Sequence, residues 1–257
     1  MPVVFVSHGA PDALLNAPDS VACWQKLGMS IPKPSAILMV SAHWEMHQTT
    51  VSLSAAPETI HDFSGFSPAL YQMQYRAPGA PDLAKRVLEL LARANIAATA
   101  HPNRGLDHGA WVPLMAMYPN ADVPVMQLSL VGDASAATHY ELGRALSALR
   151  DENVLIIASG AITHNFSWLS WRAEKNQTTL LKAQTFTDWV AERVAAKDMT
   201  ALLNYRTAQY GAEAHPSEEH FLPLLFALGA ARDSTPVRYQ PDYTYGALAM
   251  DAYVWRD

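Results

Sequence analysis

Four short runs carry apolar residues at nearly every position: 2–6 (PVVFV), 36–41 (AILMVS), 123–130 (VPVMQLSL) and 153–159 (NVLIIAS). They are rich in β-branched residues and lack the polar alternation of a strand with one wet face. That pattern predicts strands covered on both faces. Weaker strand signals lie at 49–53, 96–100, 236–240 and 247–254. Between them the apolar period lengthens to that of helices, over 81–94, 136–149 and 178–196, the first opening with Pro and Asp. A further helix is predicted over 216–228 (PSEEHFLPLLFAL), where Pro223 either kinks it or marks its true start. No repeat, low-complexity tract or flexible linker divides the chain. The elements predict one α/β domain over 1–257, in three layers, with a central mostly parallel, mixed sheet flanked by helices.

Composition narrows the function. Half of the 257 residues are hydrophobic and 16% are charged, enough for one sizeable core. The net charge is −6 and no basic run occurs, so nucleic acid is not an expected partner. No apolar stretch is long enough for a membrane span. The start, MPVVFVSHGAPD, lacks the basic region of a secretory signal. Cys23, the only cysteine, excludes an intrachain disulfide, lies in a helix-like segment and reads as an inert thiol. A cytoplasmic protein is the expectation. GxSxG, GxGxxG and Walker-type loops are all absent, so neither a serine nucleophile nor a nucleotide cofactor has motif support.

Ten dispersed histidines remain. His8 ends the first strand run, His43 the second, and His164 follows the fourth. In an open α/β sheet the carboxyl ends of the strands form the ligand crevice. Each of these histidines stands near Ser and small residues that let backbones approach there. Two or more of them are therefore expected to share a metal, since imidazole is a favoured ligand of zinc and non-haem iron. His215 and His220 flank the acidic opening of the last helix, and His108 falls in a Gly-flanked loop, GLDHGAWVPL. His47, His101 and His139 read as surface residues.

Six motifs in fixed order, SHGAP, SAHWE, HDFSGF, DHGAWVPL, SGAITHNF and HPSEEHFLPLLFALG, span the chain from position 3 to about 250. Together they resemble the class III extradiol ring-cleavage dioxygenases, of the DOPA-4,5-dioxygenase type. The resemblance implies a non-haem Fe(II) site and O2-dependent opening of a catechol ring beside its two hydroxyls. It makes His8 and His43 metal ligands, His164 the acid–base residue and His108 a second catalytic histidine facing the substrate. The third ligand is His220, with Glu219 as the competitor. Three imidazoles also suit Zn(II), which is compatible with the resting protein and for which His164 offers a fourth ligand. Phe63, Phe66 and Trp111 are candidate ring-wall residues, and His61 and His215 serve the substrate or support the ligands. The partners are then a small catechol and O2. The alternatives are a zinc hydrolase using Glu219 or Glu45 as base, and a non-enzymatic interaction module. The oligomeric state is left open.

Overall fold

A computed structural model describes residues 1–171 and 176–256. The strands are β1 (Val3–Ser7), β2 (Ala36–Met46), β3 (Thr49–Ser52), β4 (Ala98–His101), β5 (Val125–Val131), β6 (Val154–Gly160), β7 (Pro236–Tyr239) and β8 (Ala252–Trp255). They form one sheet in the order β4-β3-β5-β2-β6-β1-β8-β7. The centre, β5-β2-β6-β1, is parallel. Both flanks include antiparallel pairings: β3 with β5 on one side, β8 with β1 and β7 on the other. The sheet is mixed with a parallel heart, as the apolar runs imply.

Alternate residues of these strands feed two separate cores. Val3, Phe5, Leu38, Val40, Met126 and Ile156 face one side, packed with helices Pro81–Arg93, Ala136–Leu146, Gln177–Ala196 and Leu222–Ala230. Val4, Val6, Ile37, Met39, Leu155 and Ile157 face the other, against helices Pro18–Ser30 and His108–Met117. Two buried faces remove the need for polar alternation. Each side chain so enclosed contributes roughly 1.5–3 kcal/mol.

Several boundaries differ from the sequence expectation. The last helix begins at Leu222 with Pro223 in its first turn, so residues 216–221 are not part of it. Proline suits that place because the first turn's N–H groups have no intrahelical acceptor. The strand signal at 247–254 contracts to β8, while Leu248 makes an isolated bridge with Thr244. The segment around His108 is no loop. Asp107 caps a helix, accepting a hydrogen bond from the Ala110 N–H, and His108 is its first residue. The helix tolerates Pro113 within it. His139 is wholly buried rather than superficial: its Nδ1 meets the Ser135 carbonyl and its Nε2 accepts from the Val131 N–H. His101 ends β4 half-buried, and His47 is exposed.

Candidate metal centre and active site

The crevice expected at the carboxyl ends of the parallel strands is a cavity of about 1130 Å³ lined by five histidines, His8, His43, His108, His164 and His220. His8 follows β1 directly, and its N–H donates to the Gly160 carbonyl at the end of β6. The Ala161 N–H in turn donates to the His220 carbonyl, 2.8 Å away. Only glycine fits at 160, since a Cβ there would lie 2.3 Å from that carbonyl oxygen. This close approach brings the chain before the last helix onto the sheet.

His43 does not end β2. The strand continues to Met46, and its register against β5 slips between Val40 and Glu45. The bulge turns His43 toward the crevice. Ser41 Oγ accepts from the His43 N–H and donates to Asp107 Oδ1, which ties the bulge to the cap of the next helix. Asp107 Oδ2 also accepts from Arg104 and Gln127. Gly109 again needs its lack of a side chain, because a Cβ would sit 2.4 Å from Ser41 Oγ.

Hydrogen bonds fix which imidazole nitrogens face inward. Ser159 Oγ donates to the Gly109 carbonyl, so toward His8 Nδ1, 2.9 Å away, it acts as acceptor. His8 therefore carries its proton on Nδ1 and presents a bare Nε2. His220 Nδ1 lies 3.0 Å from Glu219 Oε1, and His220 Nε2 is buried without any partner. His43 Nδ1 faces Asp62 Oδ2 at 3.6 Å, while its Nε2 lies 3.1 Å from His8 Nε2. Two ligand nitrogens at 2.0–2.1 Å from one ion stand about 2.9–3.4 Å apart at 90–110°. The pair has that spacing. The His220 ring lies 5.3 Å from His8 and 4.9 Å from His43, centroid to centroid.

Ligand-capable atoms gather in two triads, His8–His43–His108 and His164–Glu219–His220. His108 Nδ1 lies 3.0 Å from Asp62 Oδ1, which also accepts from the His108 N–H. His164 stacks on His220, with centroids 3.4 Å apart and planes 8° from parallel.

Burial sets the electrostatics. It drives His8 and His220 well below their ordinary range, assisted by the neighbouring imidazoles. Burial and then His108 lower His43 to about 4, against Asp107 and Asp62, which raise it. Burial takes His164 to about 4, partly opposed by Glu219. For Asp62 burial acts upward, but the hydrogen bonds and charge of His108 outweigh it and hold the carboxyl at about 2. Neutral imidazole is the form that binds metals. Neutral imidazoles, the His8–His43 spacing and the bare buried nitrogen of His220 suit a divalent ion, although the atoms within reach of one another form the two triads rather than His8, His43 and His220 together.

The remaining candidates fall in different places. Phe63 and Phe66 line the cavity, as do Glu219 and Glu45. Trp111 and His61 are not among its lining residues. They form a layer behind, their rings 6.3 and 5.8 Å from Phe63, with Trp111 Nε1 donating to the Ile60 carbonyl and His61 Nε2 paired with the Met73 carbonyl. His215 lies beneath the floor, fully buried with Nε2 on the Ile162 carbonyl, and burial depresses it to about 3. Sequence reasoning missed Asp62, Ser159 and Asp107. Asp62 and Asp107 each stand beside a histidine in HDF and DHG, and that adjacency was the available signal.

The family described as the catalytic LigB subunit of aromatic ring-opening dioxygenase matches residues 16–253. The chain is 41% identical over 254 residues to a 4,5-DOPA dioxygenase extradiol of Escherichia coli (strain K12), covering 97% of this chain and 93% of that protein. It is 41% identical over 239 residues to the 4,5-DOPA dioxygenase extradiol of Beta vulgaris, covering 90% of this chain and 87% of that one. The crystal structure of an uncharacterised protein of Escherichia coli K12 superposes with a TM-score of 0.82 at 36% identity, covering all of both chains.

Proposed function

Because this chain belongs to the LigB family of aromatic ring-opening dioxygenases, we propose that His8, His43 and His220 hold one Fe(II) ion and that the substrate is a catechol of the DOPA kind, cleaved at the 4,5 bond. The chain is an extradiol ring-cleaving dioxygenase, an oxidoreductase that places both atoms of O2 in its product. The family is metal-dependent, and the histidine cluster is a site for such an ion. Bound there, Fe(II) supplies the electron transfer to oxygen that ring opening needs, which Zn(II) cannot supply. The single observation that carries the ligand assignment is the inward face of the cluster. His8, His43 and His220 each have Nδ1 turned to an oxygen partner, and the unpartnered Nε2 of His220 is buried.

The other residues divide the remaining work. His164, neutral and stacked on His220, takes a proton from the bound catechol and later returns it. A pKa near 4 is low for that exchange, and the anionic catechol itself raises it, since a negative charge close by favours imidazolium. His108, oriented by Asp62, donates to or accepts from the substrate oxygens. Phe63 and Phe66 wall the ring, with His61 and Trp111 supporting Phe63 from behind. Glu219 orients His220, and His215 supports the floor. Zn(II) in the same site gives a resting form without oxygenase activity. Relatives named as extradiol dioxygenases favour neither the hydrolase nor the non-enzymatic alternative.

The test is to strip the protein of metal, restore Fe(II) anaerobically, add DOPA and admit O2. Matched O2 uptake and a yellow ring-opened product are expected. Absence of uptake with DOPA and with simpler catechols would sink the reading.

A further inference from the structure

A second cavity, of about 360 Å³, adjoins the first. The two share Ala10, Asp12, Asn16 and Tyr245. Asp12 stands four residues after His8, at the junction. Its side chain is set up for a cation. The residue is 7% exposed. Oδ2 accepts from Asn16 Nδ2 at 2.6 Å and from the Tyr245 hydroxyl. Oδ1 is buried and has no partner. Although Asp12 precedes the short helix Ala13–Asn16, its side chain makes no capping bond there. Leaving a carboxylate oxygen unsatisfied in a low-dielectric setting is costly, and a positive ligand relieves that cost.

The surroundings carry the same sign. Among the described residues lining the main cavity are four carboxylates, Asp12, Glu45, Asp62 and Glu219, and no Lys or Arg. The smaller cavity adds Asp19 and Asp242, again with no Lys or Arg among its described lining residues. Among the described residues, the groups close enough to share a metal ion are the histidine triads, and Asp12, Asp19 and Asp242 form no such group. Three separated carboxylates around a polar annex suit an organic ammonium rather than a compact metal ion. Tyr245 keeps its proton, its pKa pushed up by burial and then by its hydrogen bond to Asp12, so its hydroxyl serves as a donor to Oδ2.

We propose that Asp12, braced by Asn16 and Tyr245, is a cation subsite that receives the ammonium end of an amine-bearing catechol and disfavours catechols whose side chain is only a carboxylate. The inference deepens the ring-cleavage reading and rests on it for the placement of the catechol head at the histidines. The tail then runs from the metal centre past Ala10 to the junction of the two cavities.

Three catechols with the same ring test it: dopamine, 4-ethylcatechol and 3-(3,4-dihydroxyphenyl)propionate. Their affinities for the Fe(II)-loaded protein are read by anaerobic calorimetric titration, and their turnover by O2 uptake. The expected order is amine, neutral, acid, with about tenfold in Kd between neighbours. Asp12→Asn removes the amine's advantage through Kd and KM while the neutral catechol stays within about threefold. The wild-type order alone decides the matter if the variant does not fold. Equal affinities, tighter binding of the acid, or an amine preference that survives Asp12→Asn overturns the subsite. Amine-selective binding with no O2 uptake from any catechol instead strikes the ring-cleavage reading and leaves the subsite standing.

Discussion

His139 and His220 are both buried histidines near the start of a helix, and burial lowers the pKa of both. They differ in what their second nitrogen does. His139 spends both nitrogens on the backbone of its own neighbourhood, one on Ser135 and one on Val131. His220 spends Nδ1 on Glu219 and leaves Nε2 buried and unpaired beside four other imidazoles. Burial and a depressed pKa thus mark a histidine as neutral, which both are. On the proposed assignment, what makes His220 a ligand is an unspent nitrogen on a residue that lines the cavity; His215 also has an unpaired buried Nδ1 but is not among the lining residues. His8 belongs with His220 by this criterion, since the chain Gly109–Ser159–His8 fixes its proton on the outer nitrogen.

The largest effect that can break this contrast comes from truncating its two members. In His220→Ala, metal affinity falls by more than the roughly 10–100-fold that loss of an outer partner costs, and turnover falls with it. His139→Ala leaves metal stoichiometry at the wild-type level. It costs about 1–3 kcal/mol in urea unfolding because the Val131 N–H loses its acceptor. Metal analysis after dialysis separates the two. Loss of metal in His139→Ala would end the distinction.

A smaller effect is expected at His164, which stacks on His220 but is proposed to move a proton rather than to hold iron. His164→Ala should retain Fe(II) and lower kcat by about 10²–10⁴-fold. Metal loss in this variant would make it a ligand instead. Smaller again is Ser159→Ala, which frees the His8 tautomer without touching a ligand. Competition against a chelator should show metal affinity down roughly 10-fold, within the range known for such partners.

Acid supplies the gentlest probe. The ordinary histidine value is 6.5, and folding holds His43 and His164 near 4 and His215 near 3. The unfolded chain therefore takes up protons below pH 6.5 that the metal-free folded chain refuses. Stability present above pH 6.5 is lost as the pH falls from there toward 4, by up to about 1.4 kcal/mol per pH unit for each fully buried group. Chemical denaturation of metal-free protein at pH 7, 6 and 5 should show the decline. His215→Phe, which removes one such group away from the cavity, should flatten it.

Much of this arrangement is legible in the sequence. The four apolar runs became the parallel heart of the sheet because strands covered on both faces leave an uninterrupted signature. His8 and His164 follow strands as their positions indicated. What escaped detection depended on contacts distant in sequence. The bulge at His43 is tied to the rest of the fold by Ser41 meeting Asp107, 66 residues away. His108 opens a helix because Asp107 is free to cap it, a local signal that the flanking glycines masked. His139 looked superficial because its helix start is polar, yet Val131 turns it inward. Trp111, His61 and His215 lie one layer behind the cavity wall, and proximity in sequence to a lining residue does not distinguish front from back. Asp12 gave no signal at all, since its partner Tyr245 is 233 residues away.

The most direct measurement is an anaerobic Fe(II) titration of metal-free protein, comparing wild type with His220→Ala and Glu219→Gln. If the unspent nitrogens of His8, His43 and His220 hold the ion, wild type binds one Fe(II) per chain, Glu219→Gln binds one with reduced affinity, and His220→Ala binds none at the same concentration. Undiminished binding by His220→Ala, or its loss in Glu219→Gln alone, would contradict the assignment.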